Sequence, residues 1–370
     1  MFRFSFSVGC AVVLLFVSAS AGKEPLSIGA AAPDFELPGV DDKTYRLADF
    51  ADAKVLVVVF TCNHCPTAQA YEDRLIRLHA DYKERGVAVV AISPNDPLAV
   101  RLDELGYSDV GDSLADMKIR AKDKGFTFPY LYDGETQKAS AAYGVLATPH
   151  VFIFDADRKL RYVGRIDDSE VGTVKSHDAR NAIDALLAGK PVPVELTRVR
   201  GCSTKWSDKR ASAAASLKQW DAERATLQTI DVDGAKKLAR NDTKKLRLIN
   251  VWATWCGPCV GELEELVAIH RMYRRRGLDI VTISLDGEKD RDAALKVLNE
   301  KHVSAVNYRF TSDDLDALAD ALDSKWRGPV PYTVLIAPGG KVLYRKQDAI
   351  DPLKLKKAIV EHLGRTYAAR

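Results

Sequence analysis

Two apolar runs along the chain have the same surroundings. Residues 55–60 read VLVVVF and residues 248–253 read LINVWA, and each run is followed within a few residues by a C-x-x-C pair. Short apolar runs bounded by polar residues are typical of strands that are buried on both faces of a sheet. The sequence therefore predicts two buried strands, each ending near a pair of cysteines.

A helix and a second strand are predicted after each cysteine pair. In the first half, apolar and aromatic residues recur at helical spacing over residues 68–85, and the strand-like VAVVAIS follows at residues 87–93. In the second half the predicted helix covers residues 260–276, and the next strand begins at Leu278. Strand, helix and strand joined by short connections form a parallel β-α-β unit. Both halves are therefore predicted to belong to the α/β class.

Each half continues with a proline, a predicted hairpin and a final helix. Pro149, before HVFIFD, lies 87 residues after Cys62 (149 − 62), and Pro331, before YTVLIA, lies 75 residues after Cys256 (331 − 256). An internal duplication with a longer insertion at residues 95–125 in the first copy accounts for this difference. The final helices are predicted over residues 178–188 and residues 352–363.

The first residues have the composition of an export signal. One cation, Arg3, precedes an apolar stretch at residues 8–17, and Ala19-Ser20-Ala21 has the small-x-small form of a cleavage site. We expect residues 1–21 to be a signal peptide that is removed, with an uncleaved membrane anchor as the alternative. The mature protein is then expected to be extracytoplasmic, in the periplasm or secreted, without a transmembrane segment.

The repeated pattern predicts the domain organisation. Residues 22–190 and residues 225–370 are predicted to form two domains of the same class. Between them, residues 191–224 change from PVPVE through RGCSTKW to a stretch rich in alanine and serine, which predicts a linker that carries Cys202. The net charge of +3 is too small to indicate nucleic-acid binding.

A strand, a C-x-x-C pair at the start of a helix and a proline before a later strand together resemble the thioredoxin superfamily. The resemblance implies two thioredoxin-like folds in tandem, each a central mixed sheet flanked by helices. In the second half, WCGPC at residues 255–259 is similar to exported thioredoxin-like reductases of the cytochrome c maturation type. Glu262 matches an acidic active-site residue of that group, whereas residues 263–265 lack a proline that is frequent there.

The first half resembles a peroxiredoxin-like branch that includes alkyl hydroperoxide reductases and redoxins, through APDFEL, VVVF and the CPT after the strand. Peroxidases of this branch have a threonine or serine three residues before the peroxide-attacking cysteine, and an arginine just before the late strand. Cys62 and Pro149 occupy those positions here. Both replacements favour dithiol exchange, and a peroxidase in which Cys65 attacks peroxide is the alternative.

Disulfide exchange requires a thiolate, and the N-terminus of a helix lowers the pKa of a thiol placed there. On this ground we expect Cys62 and Cys256 to attack substrate disulfides. Cys65 and Cys259, one turn further on, are expected to resolve the mixed disulfides that result.

The residues around the cysteine pairs have supporting roles in this hypothesis. The resemblance implies that Pro149 and Pro331 are cis and lie against the sulfurs, and that the residue before each proline presents its backbone to an extended substrate. A protonated His64 would stabilise the thiolate and make the first pair the more oxidising one, unless it is a solvated turn residue. Glu262 either relays protons to Cys259 or is a first-turn acid that interacts with the helix dipole.

Two further features of the sequence allow more than one interpretation. Cys202 is a relay thiol between the two halves, a partner for another chain, or a thiol packed under Trp206. An arginine cluster near the end of the second-half helix is interpreted as a solvated helix terminus, with a docking patch as the less favoured interpretation. Its members are Arg271, Arg274, Arg275 and Arg276.

Taken together, these features predict an exported thiol-disulfide oxidoreductase that acts on protein thiols and disulfides. A zinc site is disfavoured because paired C-x-x-C ligands are usually about 15 to 20 residues apart, far closer than here. A purely structural role is disfavoured because so short a disulfide loop adds only about 2 kcal/mol of stability. We expect no bound cofactor or metal and an unidentified electron donor. A non-catalytic module that binds partners through the same groove is a further alternative.

Overall fold

The computed structural model describes residues 24–367. The predicted signal peptide, with Cys10, lies outside the described residues. Within the described part of the chain, no helix combines the length and the apolar character needed to cross a membrane.

The first half is built around a five-stranded sheet in the order β5-β4-β3-β7-β8, in which β3 is parallel to β4 and antiparallel to β7. Its strands are β1 (Glu36–Pro38), β2 (Thr44–Arg46), β3 (Val55–Phe60), β4 (Val87–Ser93), β5 (Tyr130–Tyr132), β6 (Ala147–Thr148), β7 (His150–Phe154), β8 (Leu160–Gly164) and β9 (Cys202–Ser203). Its helices are α1 (Pro66–Tyr82), α2 (Leu114–Lys124), α3 (Lys138–Tyr143), α4 (Asp178–Leu187) and α5 (Arg210–Asp221).

The second half is built around a six-stranded sheet in the order β10-β13-β12-β11-β14-β15. The central strand β11 is parallel to β12 and antiparallel to β14, as β3 is to its neighbours. The strands are β10 (Gln228–Ile230), β11 (Leu246–Trp252), β12 (Leu278–Ser284), β13 (Val306–Phe310), β14 (Tyr332–Ile336) and β15 (Val342–Gln347). The helices are α6 (Val232–Arg240), α7 (Gly257–Tyr273), α8 (Arg291–Glu300), α9 (Leu315–Leu322) and α10 (Pro352–Leu363).

The apolar run of β3 is buried on both faces of its sheet. Its odd-numbered residues pack with α1 and α4, and its even-numbered residues pack with α3. Burying one such side chain contributes about 1.5 to 3 kcal/mol, so the run fixes this strand at the centre of the sheet. The predicted fold class, α/β with two thioredoxin-like folds in tandem, is confirmed.

The segment predicted as a linker lies against the first half over part of its length. Leu196 forms a bridge with Val163, β9 pairs with β6, and the Lys205 carbonyl accepts a hydrogen bond from the Asp96 amide at 2.9 Å. The limits of the two domains stay a prediction.

The insertion of the first half contacts the second half. The Tyr273 hydroxyl donates to the Ser108 carbonyl at 2.6 Å, and Arg365 binds the Asp109 carboxylate at 2.6 Å. Tyr273 ends α7, whose 17 residues span about 25 Å. The cysteines at the start of α7 therefore lie at the far end of the helix from this contact.

The arginine cluster joins elements of the two halves, so its interpretation as a solvated helix terminus is wrong for all members but Arg275, whose side chain is 72% exposed. Arg271 is buried and binds Asp221 at 2.7 Å. The other three bind Glu223, Asp103 and the Gly106 carbonyl, at 2.9, 2.8 and 2.9 Å. Their positive charge joins α7 to the linker segment and to the insertion.

Candidate active site

In the first half, the second cysteine of the pair lies at the helix tip. Helix α1 begins at Pro66, and Cys65 is its N-cap residue. Proline is favoured at the first position of a helix because its φ is already helical and its missing N–H would be unbonded there. Cys62 lies in the loop after β3, so our expectation that it is at the helix tip is wrong.

The turn between the two cysteines is held by Asp112 rather than by the helix. The backbone amides of Asn63 and His64 donate to Asp112 Oδ1 at 2.9 and 3.2 Å. Asp112 Oδ2 contacts His64 Nδ1 at 2.5 Å and accepts a hydrogen bond from Asn95 Nδ2 at 2.8 Å. Only 2% of His64 is exposed, so its alternative interpretation as a solvated turn residue is wrong.

The buried His64–Asp112 pair affects the pKa of Cys65. Burial alone would lower the pKa of His64, but the Asp112 carboxylate outweighs this effect and raises it. Burial would likewise raise the pKa of Cys65, yet hydrogen bonds from the thiols of Cys202 and Cys62 and the charge of His64 lower it well below its usual value. Burial, Cys65 and Asp112 raise the pKa of the Cys62 thiol. These directions, together with the position of Cys65 at the helix tip, favour the thiolate on Cys65 rather than on Cys62.

The Thr148-Pro149 bond is cis, as the resemblance implied, and Thr148 contacts both sulfurs. The Cys62 Sγ lies 3.0 Å from Thr148 Oγ1, and the Cys65 Sγ lies 3.3 Å from the Thr148 carbonyl oxygen. Thr148 also pairs with Cys202 in the antiparallel ladder of β6 and β9. The backbone edge that we expected to receive substrate is thus occupied by a segment of the same chain.

Cys202 lies in the first site. It packs against Cys62, Cys65 and Ala68, whereas Trp206 packs with a different apolar cluster. The interpretation of Cys202 as a thiol packed under Trp206 is therefore not supported.

The second site has the arrangement that the sequence predicts. Cys256 is the N-cap residue of α7, and its Sγ accepts a hydrogen bond from the Cys259 amide at 3.3 Å. Cys256 and Cys259 form a disulfide. The neighbouring Trp255 is 69% exposed, so an apolar surface adjoins this pair. The Val330-Pro331 bond is cis, as expected from the resemblance.

Glu262 is buried and lies three residues after Cys259 on α7. It is the sixth residue of α7, so the interpretation as a first-turn acid is wrong. Its carboxylate accepts hydrogen bonds from Asn250 Nδ2 at 2.7 Å and from the Ile350 amide at 2.8 Å. Burial raises the pKa of Glu262 in spite of these two bonds. A carboxyl group of this kind holds a proton at higher pH than an exposed glutamate does.

The profile of the AhpC/TSA family matches residues 28–163 and again residues 218–345. The chain belongs to the AhpC/TSA family. The two matches fall on the two halves of the AhpC/TSA chain and include both cysteine pairs.

The AhpC/TSA chain is also similar to bacterial proteins named thiol-disulfide oxidoreductase ResA. It is 31% identical to the protein from Bacillus subtilis over 114 residues, which are 30% of this chain and 59% of that protein. It is 26% identical to the protein from Oceanobacillus iheyensis over 122 residues, 33% of this chain and 54% of that protein. The alignments thus span a little over half of these relatives. A solved structure of an uncharacterized conserved protein from Geobacillus kaustophilus is 40% identical, with a TM-score of 0.44, and covers 49% of this chain and 93% of that one.

Two residues of the first site were missed by the sequence interpretation. Asn95 lies two residues after the end of β4, and a polar residue at the carboxyl end of a parallel strand is a signal that the sequence offers. Asp112 lies 48 residues from His64 in the chain, and no local pattern marks it.

The donor atoms of Cys62, His64 and Asp112 lie within 4.8 Å of one another, as metal ligands would. However, His64 Nδ1 and Asp112 Oδ2 are in direct contact at 2.5 Å. This is the geometry of an ion pair rather than of two ligands that share a metal.

Proposed function

We propose that this AhpC/TSA protein is an exported thiol-disulfide oxidoreductase that exchanges disulfides with protein substrates through two C-x-x-C sites. One observation carries the proposal: each half places a cysteine pair where the central buried strand leads into a helix, with one cysteine as the N-cap. Free N–H groups and the positive end of the helix dipole stabilise a thiolate at that position. The similarity to proteins named thiol-disulfide oxidoreductase supports this assignment.

In the second site, the reduced Cys256 thiolate attacks a sulfur of the substrate disulfide, which breaks the substrate S–S bond, releases the first substrate thiolate and forms a mixed disulfide. Cys259 then attacks the Cys256 sulfur, which releases the second substrate thiolate and leaves the Cys256–Cys259 disulfide. Glu262 accepts the proton that Cys259 loses, directly or through water. Two electrons have passed to the substrate, and a separate electron donor must restore the dithiol. The exposed Trp255 offers an apolar surface for a protein substrate.

In the first site, the attacking thiol is Cys65. A second candidate function follows from its surroundings: a thiol-dependent peroxidase in the first domain that the second domain recycles. The specific observation in its favour is the buried Cys65 sulfur at the helix tip, which a small oxidant reaches more easily than a protein does. Cys65 would reduce a peroxide to an alcohol or water and become a sulfenic acid, which a neighbouring thiol converts to a disulfide with loss of water.

Insulin reduction with a thiol donor tests the main proposal. We expect the variant with Cys256→Ser and Cys259→Ser to lose most of the activity, and the variant with all four motif cysteines replaced to lose it completely. Insulin reduction that persists in the fourfold variant would contradict the proposal. The non-catalytic binding module predicts instead that the parent does not reduce insulin and that partner binding survives the fourfold replacement. Consumption of hydrogen peroxide that depends on Cys65 would favour the second candidate function. Fractionation of the native host would test export.

A further inference from the structure

The first site contains three thiols in contact. Cys202 packs against Cys62 and Cys65, and its thiol is in hydrogen-bond contact with the Cys65 sulfur. The Tyr367 hydroxyl, from the end of the second half, is in hydrogen-bond contact with the Cys202 thiol from another side. A C-x-x-C site needs only two thiols, so the third requires an explanation.

The chain is built to hold Cys202 at this position. Gly201 has a φ of +153°, and a Cβ atom there would lie only 2.0 Å from the Thr148 carbonyl oxygen. Glycine therefore allows the backbone before Cys202 to approach Thr148 closely, and the β6–β9 ladder fixes the approach at Thr148 and Cys202. The thiol reaches the site on an ordered strand rather than on a loose linker.

Cys62 and Cys202 differ in how easily they ionise once Cys65 is bonded to another sulfur. Burial, the hydrogen bond with Cys65 and the Asp112 carboxylate raise the pKa of Cys62. The effect of Cys65 ends once Cys65 has reacted, whereas the effects of burial and Asp112 persist. The largest effect that raises the pKa of Cys202 is its hydrogen bond with Cys65, and this effect ends when Cys65 loses its negative charge, whereas the smaller effect of burial persists. Lys205 acts in the opposite direction and favours the Cys202 thiolate. Cys202 is also partly exposed, whereas Cys62 is buried.

We propose that Cys202, rather than Cys62, resolves the mixed disulfides formed at Cys65. This inference rests on the proposed function, with Cys65 as the attacking thiol. A substrate disulfide is attacked by the Cys65 thiolate, which releases one substrate thiolate. Cys202 then attacks the Cys65 sulfur; the Cys65–Cys202 bond forms, the bond to substrate breaks, and the proton of Cys202 passes to the departing thiolate. Two protein thiols are oxidised, and one substrate disulfide is reduced.

The test uses the full chain with Cys10, Cys256 and Cys259 replaced by serine, so that only the three thiols remain. The reduced protein is mixed with one equivalent of 5,5′-dithiobis(2-nitrobenzoate) in a stopped-flow instrument. The first thionitrobenzoate released reports attack by Cys65, and the second reports resolution. We expect Cys202→Ser to slow the second release by at least about tenfold, since the remaining thiol ionises poorly. The matched control Ser203→Ala, on the same strand, should keep both rates.

Two further variants keep the proposal open to contradiction if Cys202→Ser does not fold. In Cys62→Ser, the second release should persist, and peptide mapping should identify a Cys65–Cys202 disulfide. Gly201→Ala keeps the thiol but displaces β9, so it should slow the second release without changing the first. A Cys62→Ser protein that stops after the first release would overturn the proposal, as would mapping of the parent that finds only Cys62–Cys65. Loss of the first release would instead contradict the proposed function of Cys65.

Discussion

His64 is the residue between the cysteines that makes the first site unlike the second. It is buried, it is paired with Asp112, and its positive charge helps to lower the pKa of Cys65. The corresponding residues of the second site, Gly257 and Pro258, carry no charge. The imidazole therefore contributes an electrostatic effect that only the first pair has.

Replacing His64 should make the Cys65 thiolate harder to form. In His64→Ala the cation is gone, so the pKa of Cys65 rises and less thiolate is present at mildly acidic pH. We expect alkylation of Cys65 by iodoacetamide at pH 6 to slow, and its pH profile to move to higher pH. His270→Gln, in the second half, is the control and should leave the profile unchanged. An unaltered profile in His64→Ala would mean that the helix tip and the other thiols suffice.

Glu262 should give the second site a pH dependence. Its pKa is raised by burial, so the charged form is disfavoured in the folded protein, and stability falls as pH rises through the folded pKa. Glu262→Gln removes this effect. The variant should therefore gain stability relative to the parent between acidic and neutral pH, as measured by denaturant unfolding across that range. If it relays protons to Cys259, the variant should also reduce insulin with an altered pH profile.

At the scale of elements, Asp112 ties the insertion to the turn between β3 and α1. Four hydrogen bonds converge on its two oxygens, and the carboxylate is fully buried. Asp112→Ala would leave His64 charged and unpaired in the interior, or force it to lose its proton. Breaking a buried pair in this way costs about 3 to 5 kcal/mol.

Denaturant unfolding of Asp112→Ala measures this cost. The matched control is Asp292→Ala, because the Asp292 side chain is 92% exposed; it should change the free energy of unfolding by less than about 0.5 kcal/mol. Equal effects of the two substitutions would show that Asp112 does not hold the turn.

The elements were predictable to the extent that local patterns determine them. The apolar runs of β3 and β4 and the helical spacing of α10 predicted those elements with the bounds observed. The start of α1 was predicted two residues late, and Cys62 was wrongly expected at its tip. The contacts that hold the turn between the two cysteines come from Asp112, which is remote in the chain. Side-chain contacts of this kind leave no local pattern.

At the scale of the whole molecule, the two halves have the same fold but place their cysteine pairs in different environments. The first pair is buried beside a cation and covered by β9, whereas the second pair adjoins an exposed tryptophan. A more stable thiolate makes the corresponding disulfide more oxidising. The duplication therefore permits two redox potentials in one chain.

Equilibration with glutathione tests this difference. With the cysteines of one half replaced at a time, we expect the Cys62/Cys65 site to be more oxidising than the Cys256/Cys259 pair. Because Cys202 is in contact with Cys65, the measurement on the first half should be repeated in Cys202→Ser. A first site that is equal to or more reducing than the second would contradict the role assigned to His64.

The orientation of α7 has a consequence for electron transfer between the two halves. Its C-terminal end touches the insertion beside the first site, while its cysteines are about 25 Å away, and disulfide exchange requires sulfur atoms to meet. In this arrangement the second cysteine pair lies a helix length away from the contact beside the first site, so we expect no direct exchange between the two halves of one chain. Recycling of one half by the other would then be a bimolecular event, with a rate that grows with the square of protein concentration.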